Sequence, residues 1–330
     1  MHSLTTTNVV SPKERNYFIV ALVISIPLWL LITIATVGSV WGFLAIMGII
    51  LWFTNGLLVA GLKADAVAVH PNQLSRLDAT FSEVCATLGL ANRPELYIIQ
   101  SGGLLNAFAT RHSGRHFVVV YSQMIESLGT DTPEMRFLLG HEIGHIQRNH
   151  IFRRLLLAPA LLLPLIGAAY SRACESTCDR YGALASGEVD SSVRAMMTLA
   201  GGKDAAREMD AAHFADQNLK HRGFFVSLYE LISGYPTLTR RVKDLWELEP
   251  GRESDGPRRN PLAYIFACFM FGGGFGGRGS LFSTLILVYF VAIFASLAIP
   301  SISSATKAAK KRQEQIQRQT APERHPGLSN

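Results

Sequence analysis

The stretch LLGHEIGH, from Leu138 to His145, decides what fold and what chemistry this chain can have. On a helix, residues four positions apart project from one face, so His141 and His145 can present their imidazole nitrogens to a single Zn²⁺ ion. Glu142 stands beside them, where it can take a proton from a water molecule that the ion activates. The stretch therefore predicts a helix that carries two metal ligands and a general base.

The residues just upstream predict where this helix begins. A cap residue, a proline and an acidic residue follow one another there, and all three favour a helix N-terminus. They are Thr132 (or Asp131), Pro133 and Glu134.

A catalytic zinc site needs one more ligand, because the ion takes three protein ligands and keeps a position for water. The stretch ESTCD, from Glu175 to Asp179, again has two acidic residues four apart on a predicted helix. This spacing suits Glu175 as the third ligand and Asp179 as the acceptor of an imidazole N–H, which fixes the tautomer of a ligand histidine. One Zn²⁺ ion per chain is therefore expected.

Three further candidate ligands are interpreted as structural residues. His150 follows His141 by nine positions, or about 900° of a continuing helix, which places it on the opposite side. Cys174 and Cys178 bracket Glu175, but the site is complete without thiolates, so we interpret them as small apolar residues of a buried helix face.

The composition indicates a membrane protein, since hydrophobic residues make up 48% of the chain and charged residues only 17%. From Asn16 to Leu62 there is no Asp, Glu, Lys or Arg, and the apolar blocks 17–37 and 40–62 each have the length of about 20 residues that a bilayer requires. We predict a cytosolic segment 1–16 and a transmembrane helical hairpin over 17–62. A cleaved signal peptide is the alternative, but the apolar run is long for one.

A second apolar region lies near the end of the chain. Residues 260–300 contain two apolar blocks around the glycine-rich stretch 272–279, with lysines and arginines on both flanks. Since flanking cations favour the cytoplasmic side of a membrane, we predict a second hairpin, whose first arm, 260–277, either spans or re-enters. Residues 301–330 are predicted to form a basic, disordered cytosolic tail.

The middle of the chain, 63–259, is predicted to be a water-facing α+β domain. Apolar spacing predicts a helix over 72–90, and β-branched and aromatic residues predict strands over 95–100 and 116–121. The stretch 101–115 between the strands is expected to be a turn-rich connection.

The apolar run 155–170 joins the two helices that must meet at one ion. It contains Pro159 and Pro164, and at about 1.5 Å per residue it is too short to cross a bilayer and return. We expect it to dip into the membrane surface or to cover the catalytic core.

These motifs together resemble one family, the HtpX-like and CAAX-prenyl-protease-like zinc endopeptidases of membranes, within the gluzincin group. The resemblance runs from about His70 to Leu248, and its markers are NAFAT (106–110), LLGHEIGH (138–145) and ESTCD (175–179). It implies an α+β fold with a gluzincin-type zinc metalloprotease domain, mainly helical with a small sheet, flanked by transmembrane helical hairpins.

The resemblance also implies roles for individual residues. Glu142 is expected to be the general base, and the expected zinc ligands are His141, His145 and Glu175. One segment is expected to lie along the active-site cleft, where an extended substrate pairs with an exposed strand edge. Its residues are Asn106, Ala107, Phe108 and Ala109.

The chain departs from the family pattern near its late segment. Members commonly have a His-Pro pair there, whereas this chain has Tyr235 before Pro236. If the family histidine stabilises a tetrahedral oxyanion, the phenol of Tyr235 can replace it, or the role is vacant or is filled by Arg240 or His213. A turn residue packed on the core is the other interpretation of Tyr235.

The expected function is that of a membrane-anchored zinc endopeptidase that hydrolyses peptide bonds of membrane or misfolded proteins. A specific processing protease of the CAAX type and an inactive scaffold with a structural metal site are the alternatives. Expected partners are protein or peptide substrates and the lipid bilayer. Nucleic acid is not expected, because the basic residues cluster beside membrane spans without interleaved aromatic residues.

The expected location is a multi-pass cell (inner) membrane. The basic flanks of both hairpins place the catalytic domain and both termini on the cytoplasmic side. Four cysteines without a disulfide-like spacing agree with a reducing compartment. No oligomeric state is predicted.

Overall fold

The computed structural model describes residues 4–100, 102–103, 105–220, 223–252 and 259–268. These residues form a mostly helical protein with one small mixed sheet, which confirms that part of the predicted fold class. The helices are α1 Pro12–Ala35, α2 Ser39–Asp65, α3 Ser75–Thr87, α4 Ser122–Leu128, α5 Pro133–Gln147, α6 His150–Leu156, α7 Ala158–Leu161, α8 Ile166–Ser186, α9 Val189–Glu208, α10 Ala211–Lys220, α11 Phe224–Ile232, α12 Leu238–Trp246 and α13 Pro261–Ala267. The strands are β1 Val67–Ala68, β2 Glu95–Ile99, β3 Ala107–His112 and β4 Arg115–Tyr121.

The first two helices are long and apolar enough to cross a membrane, and most of their side chains are not buried in the protein. Helix α2 contains the predicted apolar block 40–62, whereas α1 begins before the block 17–37 and ends at Ala35, two residues short of its end. A short turn joins the two helices, and Gly38 adopts the left-handed conformation there (φ 78°), which glycine tolerates best.

The sheet has the strand order β1-β2-β4-β3. Strand β2 is parallel to β4, whereas β3 is antiparallel to β4. The prediction that 101–115 is only a connection was therefore wrong, because it contains β3. A two-residue turn with positive φ at both positions, Ser113 and Gly114, forms the hairpin, and Ser-Gly between two extended runs was a signal for it. The alanines of β3 have low strand propensity, so pairing with β4 decides its conformation.

Glycines bring α5 and α8 into close contact. A Cβ added at Gly140 would lie 2.6 Å from Cβ of Ala185, and one added at Gly144 would lie 3.1 Å from Cα of Cys178. On the facing helix, a Cβ at Gly182 would meet the carbonyl oxygen of Phe137 at 2.6 Å. Because the distance between packed helices is set by the side chains at the contact, these glycines allow the two motif-bearing helices to approach closely.

The apolar run 155–170 covers the end of α6, α7 and the start of α8, and it packs against α1. Leu157, Ala160 and Leu161 form a buried cluster with Ala21 of α1. Ser25 Oγ on α1 donates a hydrogen bond to the carbonyl oxygen of Leu157 (3.1 Å). The break between α6 and α7 is thus held against the first apolar helix.

Near the end of the chain, the structure describes residues only as far as Cys268, and helix α13 is the last element that it describes. The chain divides into one unit of Met1–Ser280 and a second of Leu281–Asn330. The glycine-rich stretch, most of the predicted second hairpin and the tail 301–330 lie outside the described residues.

Candidate metal centre

Helix α5 starts as the upstream residues predicted. Thr132 is its N-cap, and Oγ1 of Thr132 accepts a hydrogen bond from the backbone N–H of Met135 (3.1 Å), while Pro133 occupies the first turn. The helix continues without a break to Gln147. Its middle turns are buried, so the polar side chains of His141 and Glu142 project into the interior of the domain.

Two imidazoles of α5 and one carboxylate of α8 converge. His141 Nε2 lies 3.5 Å from Glu175 Oε2, and His145 Nε2 lies 3.7 Å from Glu175 Oε1. One ligand atom from each residue lies within 4.8 Å of the others. Ligand atoms in a tetrahedral zinc site with bonds near 2.0–2.1 Å stand about 3.3–3.5 Å apart. The donor set and its spacing therefore fit a single divalent ion of this kind.

His141 is oriented from its outer side by Asp179. His141 Nδ1 lies 2.9 Å from Asp179 Oδ1, so the imidazole donates there and leaves Nε2 free to bind an ion. Arg241 of α12 in turn donates to Asp179, with Nε 2.8 Å from Oδ2 and Nη2 on Oδ1. The charge of the buried carboxylate is therefore balanced from the late segment of the chain.

Burial and charge shift the pKa values of these groups in different directions. Burial lowers the pKa of His141, but hydrogen bonds to Asp179 and Glu175 outweigh it and raise the pKa to about 9. Burial raises the pKa of Glu142 to about 7, and it lowers the pKa of His145 to about 3. Before an ion binds at neutral pH, one imidazole is thus charged and the other is neutral.

A continuing helix would place His150 on the opposite side of α5, and this prediction was wrong. The helix ends at Gln147, and Asn149 adopts the left-handed conformation (φ 50°, ψ 43°), which turns the chain back. As a result, His150 Nδ1 lies 2.9 Å from His145 Nδ1. Asn is one of the residues that adopt this conformation at modest cost, so it was the available sign of the turn.

Strand β3 borders the cleft above these groups, and it is an edge strand of the described sheet. The backbone N–H of Tyr121 bonds to the carbonyl of Asn106, and the alternation of an antiparallel ladder then turns the backbone groups of Ala107 and Ala109 away from β4. The Ala109 N–H donates to the Glu142 carboxylate. All four residues of the segment 106–109 line the cavity, whose volume is about 380 Å³.

Helix α2 covers the far end of the same edge. Asn55 Nδ2 donates to the carbonyl oxygen of Arg111 (2.6 Å), and Thr110 Oγ1 donates to Asn55 Oδ1 (3.0 Å). Trp52 stacks on His112 with 5.5 Å between ring centroids. The exposed part of the edge is therefore limited to the alanines beside Glu142.

Tyr235 also lines the cavity and is 46% exposed. The charge of Glu175 and then burial raise the pKa of its phenol. Arg172 of α8 holds the turn before it, because Arg172 Nη1 donates to the carbonyl oxygens of Leu231 (3.0 Å) and Ser233 (2.6 Å). Tyr235 thus stays a candidate oxyanion donor by position.

The two alternatives to Tyr235 lie elsewhere. Arg240 Nη1 is 4.0 Å from Glu230 Oε2, and His213, whose side chain is 81% exposed, bonds to Asp210. Neither residue lines the cavity. Arg241, one position further along α12, does line the cavity, together with Arg111 and Arg154. Sequence reasoning missed Arg241 because an RR pair does not reveal which arginine faces inward.

Comparisons with known proteins agree with the motifs. Residues 71–168 match the model of peptidase family M48, and this segment contains HEIGH but ends before Glu175. A relative described as CAAX prenyl protease 1 homolog, from Dictyostelium discoideum, is 23% identical over 133 residues. The match covers 36% of this chain and 31% of the relative, so the chain spans about a third of the length of that relative. No solved structure matches.

Both matches relate part of this chain to peptidases, and two of its helices are long and apolar enough to cross a membrane. The structure has His and Glu side chains that can hold the metal such a peptidase needs. The predicted resemblance to the HtpX-like and CAAX-prenyl-protease-like peptidases is therefore confirmed, since residues 71–168 of this chain are similar to peptidase family M48.

Proposed function

We propose that this chain is a membrane-anchored zinc endopeptidase that cleaves membrane or misfolded proteins on the cytosolic side of a cell membrane. The observation that carries the proposal is the convergence of two imidazoles and a carboxylate, with Glu142 beside them, below an exposed strand edge. This combination supplies a metal site, a base and a place for an extended peptide in one cleft.

His141, His145 and Glu175 would hold one Zn²⁺ ion. Their nitrogen and oxygen donors suit zinc, which M48 metallopeptidases typically use. When bound, Zn²⁺ acts as a Lewis acid that polarises the scissile carbonyl and makes water acidic. Asp179 keeps the ligand imidazole of His141 in the tautomer whose Nε2 faces the site.

Glu142 is the general base. Its carboxylate is held by the N–H of Ala109, and a pKa of about 7 suits a group that accepts a proton and returns it to the leaving amine. A bound divalent ion favours the carboxylate form, which is the form that can take the proton. The protein thus provides the oriented acid and base around the reacting bond.

The substrate binds as an added strand along β3. The outward-facing backbone groups of Ala107 and the carbonyl of Ala109 offer main-chain hydrogen bonds, which are independent of side-chain identity. An extended, unfolded segment therefore suits the cleft better than a folded one. Placing Ala109 next to Glu142 brings the paired peptide beside the base.

Helices α1 and α2 anchor the chain as a transmembrane hairpin, with the basic flanks in the cytoplasm. The α6–α7 break supports insertion of the run 155–170 into the membrane surface, because α1 holds it beside its own apolar middle. Apolar side chains of α6 are exposed there, which are Ile151, Phe152 and Leu155. Substrates that emerge from the bilayer would thus meet the cleft close to the membrane.

Specific processing of the CAAX type is the second candidate function, because the relative from Dictyostelium carries that name. A panel of prenylated peptides compared with unmodified peptides separates the two activities. The inactive scaffold is disfavoured, since a purely structural metal site needs no base beside it.

The test is the Glu142→Gln variant of the full chain in detergent. We expect it to retain zinc but to lose cleavage of casein, an unfolded protein. Glu134→Gln is the matched control, since Glu134 lies on the same helix and pairs with Arg194 outside the cleft. Cleavage by Glu142→Gln at the wild-type rate would exclude the mechanism, and absence of bound zinc in the wild type would exclude the metal site.

A further inference from the structure

A second group of polar side chains lies buried behind the metal centre, on the side away from Asp179. Its central residue is Glu14, at the start of α1, which has no exposed surface. Glu14 Oε1 accepts from Arg148 Nη2 (2.9 Å) and Arg153 Nη1 (3.2 Å), and it faces His150 Nε2 at 3.5 Å. His150 in turn lies 2.9 Å from His145.

The hydrogen-bond direction in this group follows from the metal site. If Nε2 of His145 faces Glu175 and an ion, its Nδ1 carries the proton and must donate. His150 Nδ1 is then the acceptor, so the proton of a neutral His150 is on Nε2, which points at Glu14. His150 Nε2 makes no hydrogen bond of ordinary geometry among the described residues, and the acceptor that it faces is Glu14 Oε1 at 3.5 Å. A buried N–H without an acceptor is costly.

We propose that His150 and Glu14 are positioning residues for the metal ligand His145: they fix its tautomer and ring orientation and so raise the zinc affinity of the site. The inference rests on the proposed function, because it takes His145 as a zinc ligand. It assigns a role to Glu14, which lies far from the HEIGH motif in sequence and would otherwise be only the start of an apolar helix.

The two ligand histidines thus have comparable outer partners. His141 donates to Asp179, whose charge Arg241 balances. His145 donates to His150, and the carboxylate that completes that chain is Glu14, balanced by two arginines. Removing such a partner of a ligand imidazole typically weakens metal affinity by about 10–100-fold.

This arrangement couples the first apolar helix to the metal centre. Glu14 lies two positions after the first residue of α1, and the N–H of Ser11 just before the helix donates to Thr177 Oγ1 of α8 (3.2 Å). Correct docking of α1 is therefore expected to be a condition for full zinc affinity. A chain whose first helix is displaced would bind zinc weakly and stay inactive.

A second metal ion in this group is the competing explanation. By distance, Glu14, His150 and Cys174 could hold one. However, two arginines already balance Glu14, and a cation placed beside them would be repelled. We therefore expect one ion per chain.

The experiment measures zinc affinity of the full chain in detergent by competition with a chromogenic chelator. His150→Phe keeps a planar aromatic ring and removes both nitrogens, and we expect a 10–100-fold weaker affinity. His150→Gln retains an acceptor and should keep most of the affinity. Glu14→Gln should weaken affinity in the wild type but not further in His150→Phe, because both act through one chain of contacts. The absorption bands of Co²⁺-loaded protein should change in the same variants.

Asp78→Asn is the matched control, since the buried Asp78 forms an ion pair with the exposed Arg93 outside the cavity. It should lower thermal stability without changing zinc affinity. If His150→Phe does not fold, His150→Ala and the Glu14→Gln comparison carry the test. Unchanged affinity in folded His150→Phe or His150→Ala overturns the inference while leaving wild-type cleavage intact, and two ions per chain would overturn it in favour of a second metal site. A wild type that neither binds zinc nor cleaves casein would instead overturn the proposed function.

Discussion

Arg241 forms a bidentate ion pair with Asp179, and the pair ties α12 to the carboxylate that orients His141. The Arg241 side chain is 11% exposed and that of Asp179 is 5% exposed. Burial raises the pKa of Asp179, but the charge and hydrogen bonds of Arg241 outweigh it and hold the pKa below its usual value. The buried carboxylate therefore remains charged and can accept from the imidazole.

Arg241→Ala should destabilise the protein and weaken the metal site. Removing one partner leaves the Asp179 charge buried without compensation, which typically costs about 3–5 kcal/mol, and zinc affinity should fall about 10–100-fold. Chemical denaturation and chelator competition measure the two effects. Arg240→Ala is the control, because its side chain faces Glu230 and does not line the cavity. Equal zinc affinity in both variants would contradict the assigned role of Arg241.

Tyr235→Phe tests the oxyanion donor directly, since it removes only the phenol hydroxyl. If the hydroxyl stabilises the developing oxyanion, kcat should fall about 100-fold while KM changes little. Steady-state cleavage of a fluorogenic peptide separates the two constants. Tyr229→Phe, at a tyrosine that is 60% exposed and does not line the cavity, is the control. An unchanged kcat would favour the interpretation of Tyr235 as a turn residue.

Zinc affinity should rise with pH. Because hydrogen bonds outweigh burial and raise the pKa of His141 to about 9, this ligand holds a proton at neutral pH that Zn²⁺ must displace. Affinity should therefore increase up to about tenfold per pH unit between pH 7 and 9 and then level off. Isothermal titration in buffers of different ionisation enthalpy measures the released proton. Affinity that does not vary over this range would contradict the prediction.

The stability of the metal-free chain should have the opposite pH dependence. A histidine with a raised folded-state pKa binds its proton more tightly when folded, so its contribution is present below the usual value of 6.5 and is lost as pH rises through about 9. The melting temperature of the metal-free chain should fall as the pH rises from about 6.5 to about 9. The melting temperature of the zinc-loaded chain should not fall in this way. His213→Ala, at an exposed histidine, should leave both curves unchanged.

The proposed topology places Val37, in the turn between α1 and α2, on the side of the membrane opposite the catalytic domain. Val37 is 94% exposed, so Val37→Cys in a Cys268→Ser background should react with an impermeant maleimide added outside intact cells. Asp204→Cys is the control, because the side chain of Asp204 is 96% exposed on the catalytic domain. It should react only after the cells are permeabilised. Labelling of Asp204→Cys in intact cells would show that the catalytic domain lies outside and would contradict the proposed orientation.

Much of the fold was predictable because its signals are local. The cap at Thr132 and the four-residue spacing in HEIGH and ESTCD depend only on helix geometry. The apolar blocks of α1 and α2 follow from bilayer thickness. A mostly helical chain with a small sheet could therefore be predicted, although β3 could not, because its alanines become a strand only through pairing with β4.

The sequence alone determined which residue types were available for metal chemistry and which of them share a helix face. Only the tertiary structure decided their partners: Arg241 rather than Arg240 faces Asp179, and the turn at Asn149 places His150 beside His145. Glu14 reaches the same region from the start of α1. These contacts join residues far apart in the chain, so they depend on helix packing and on the direction of turns. Local residues such as Asn149 can mark where a turn occurs, but they do not specify which distant side chains it brings together.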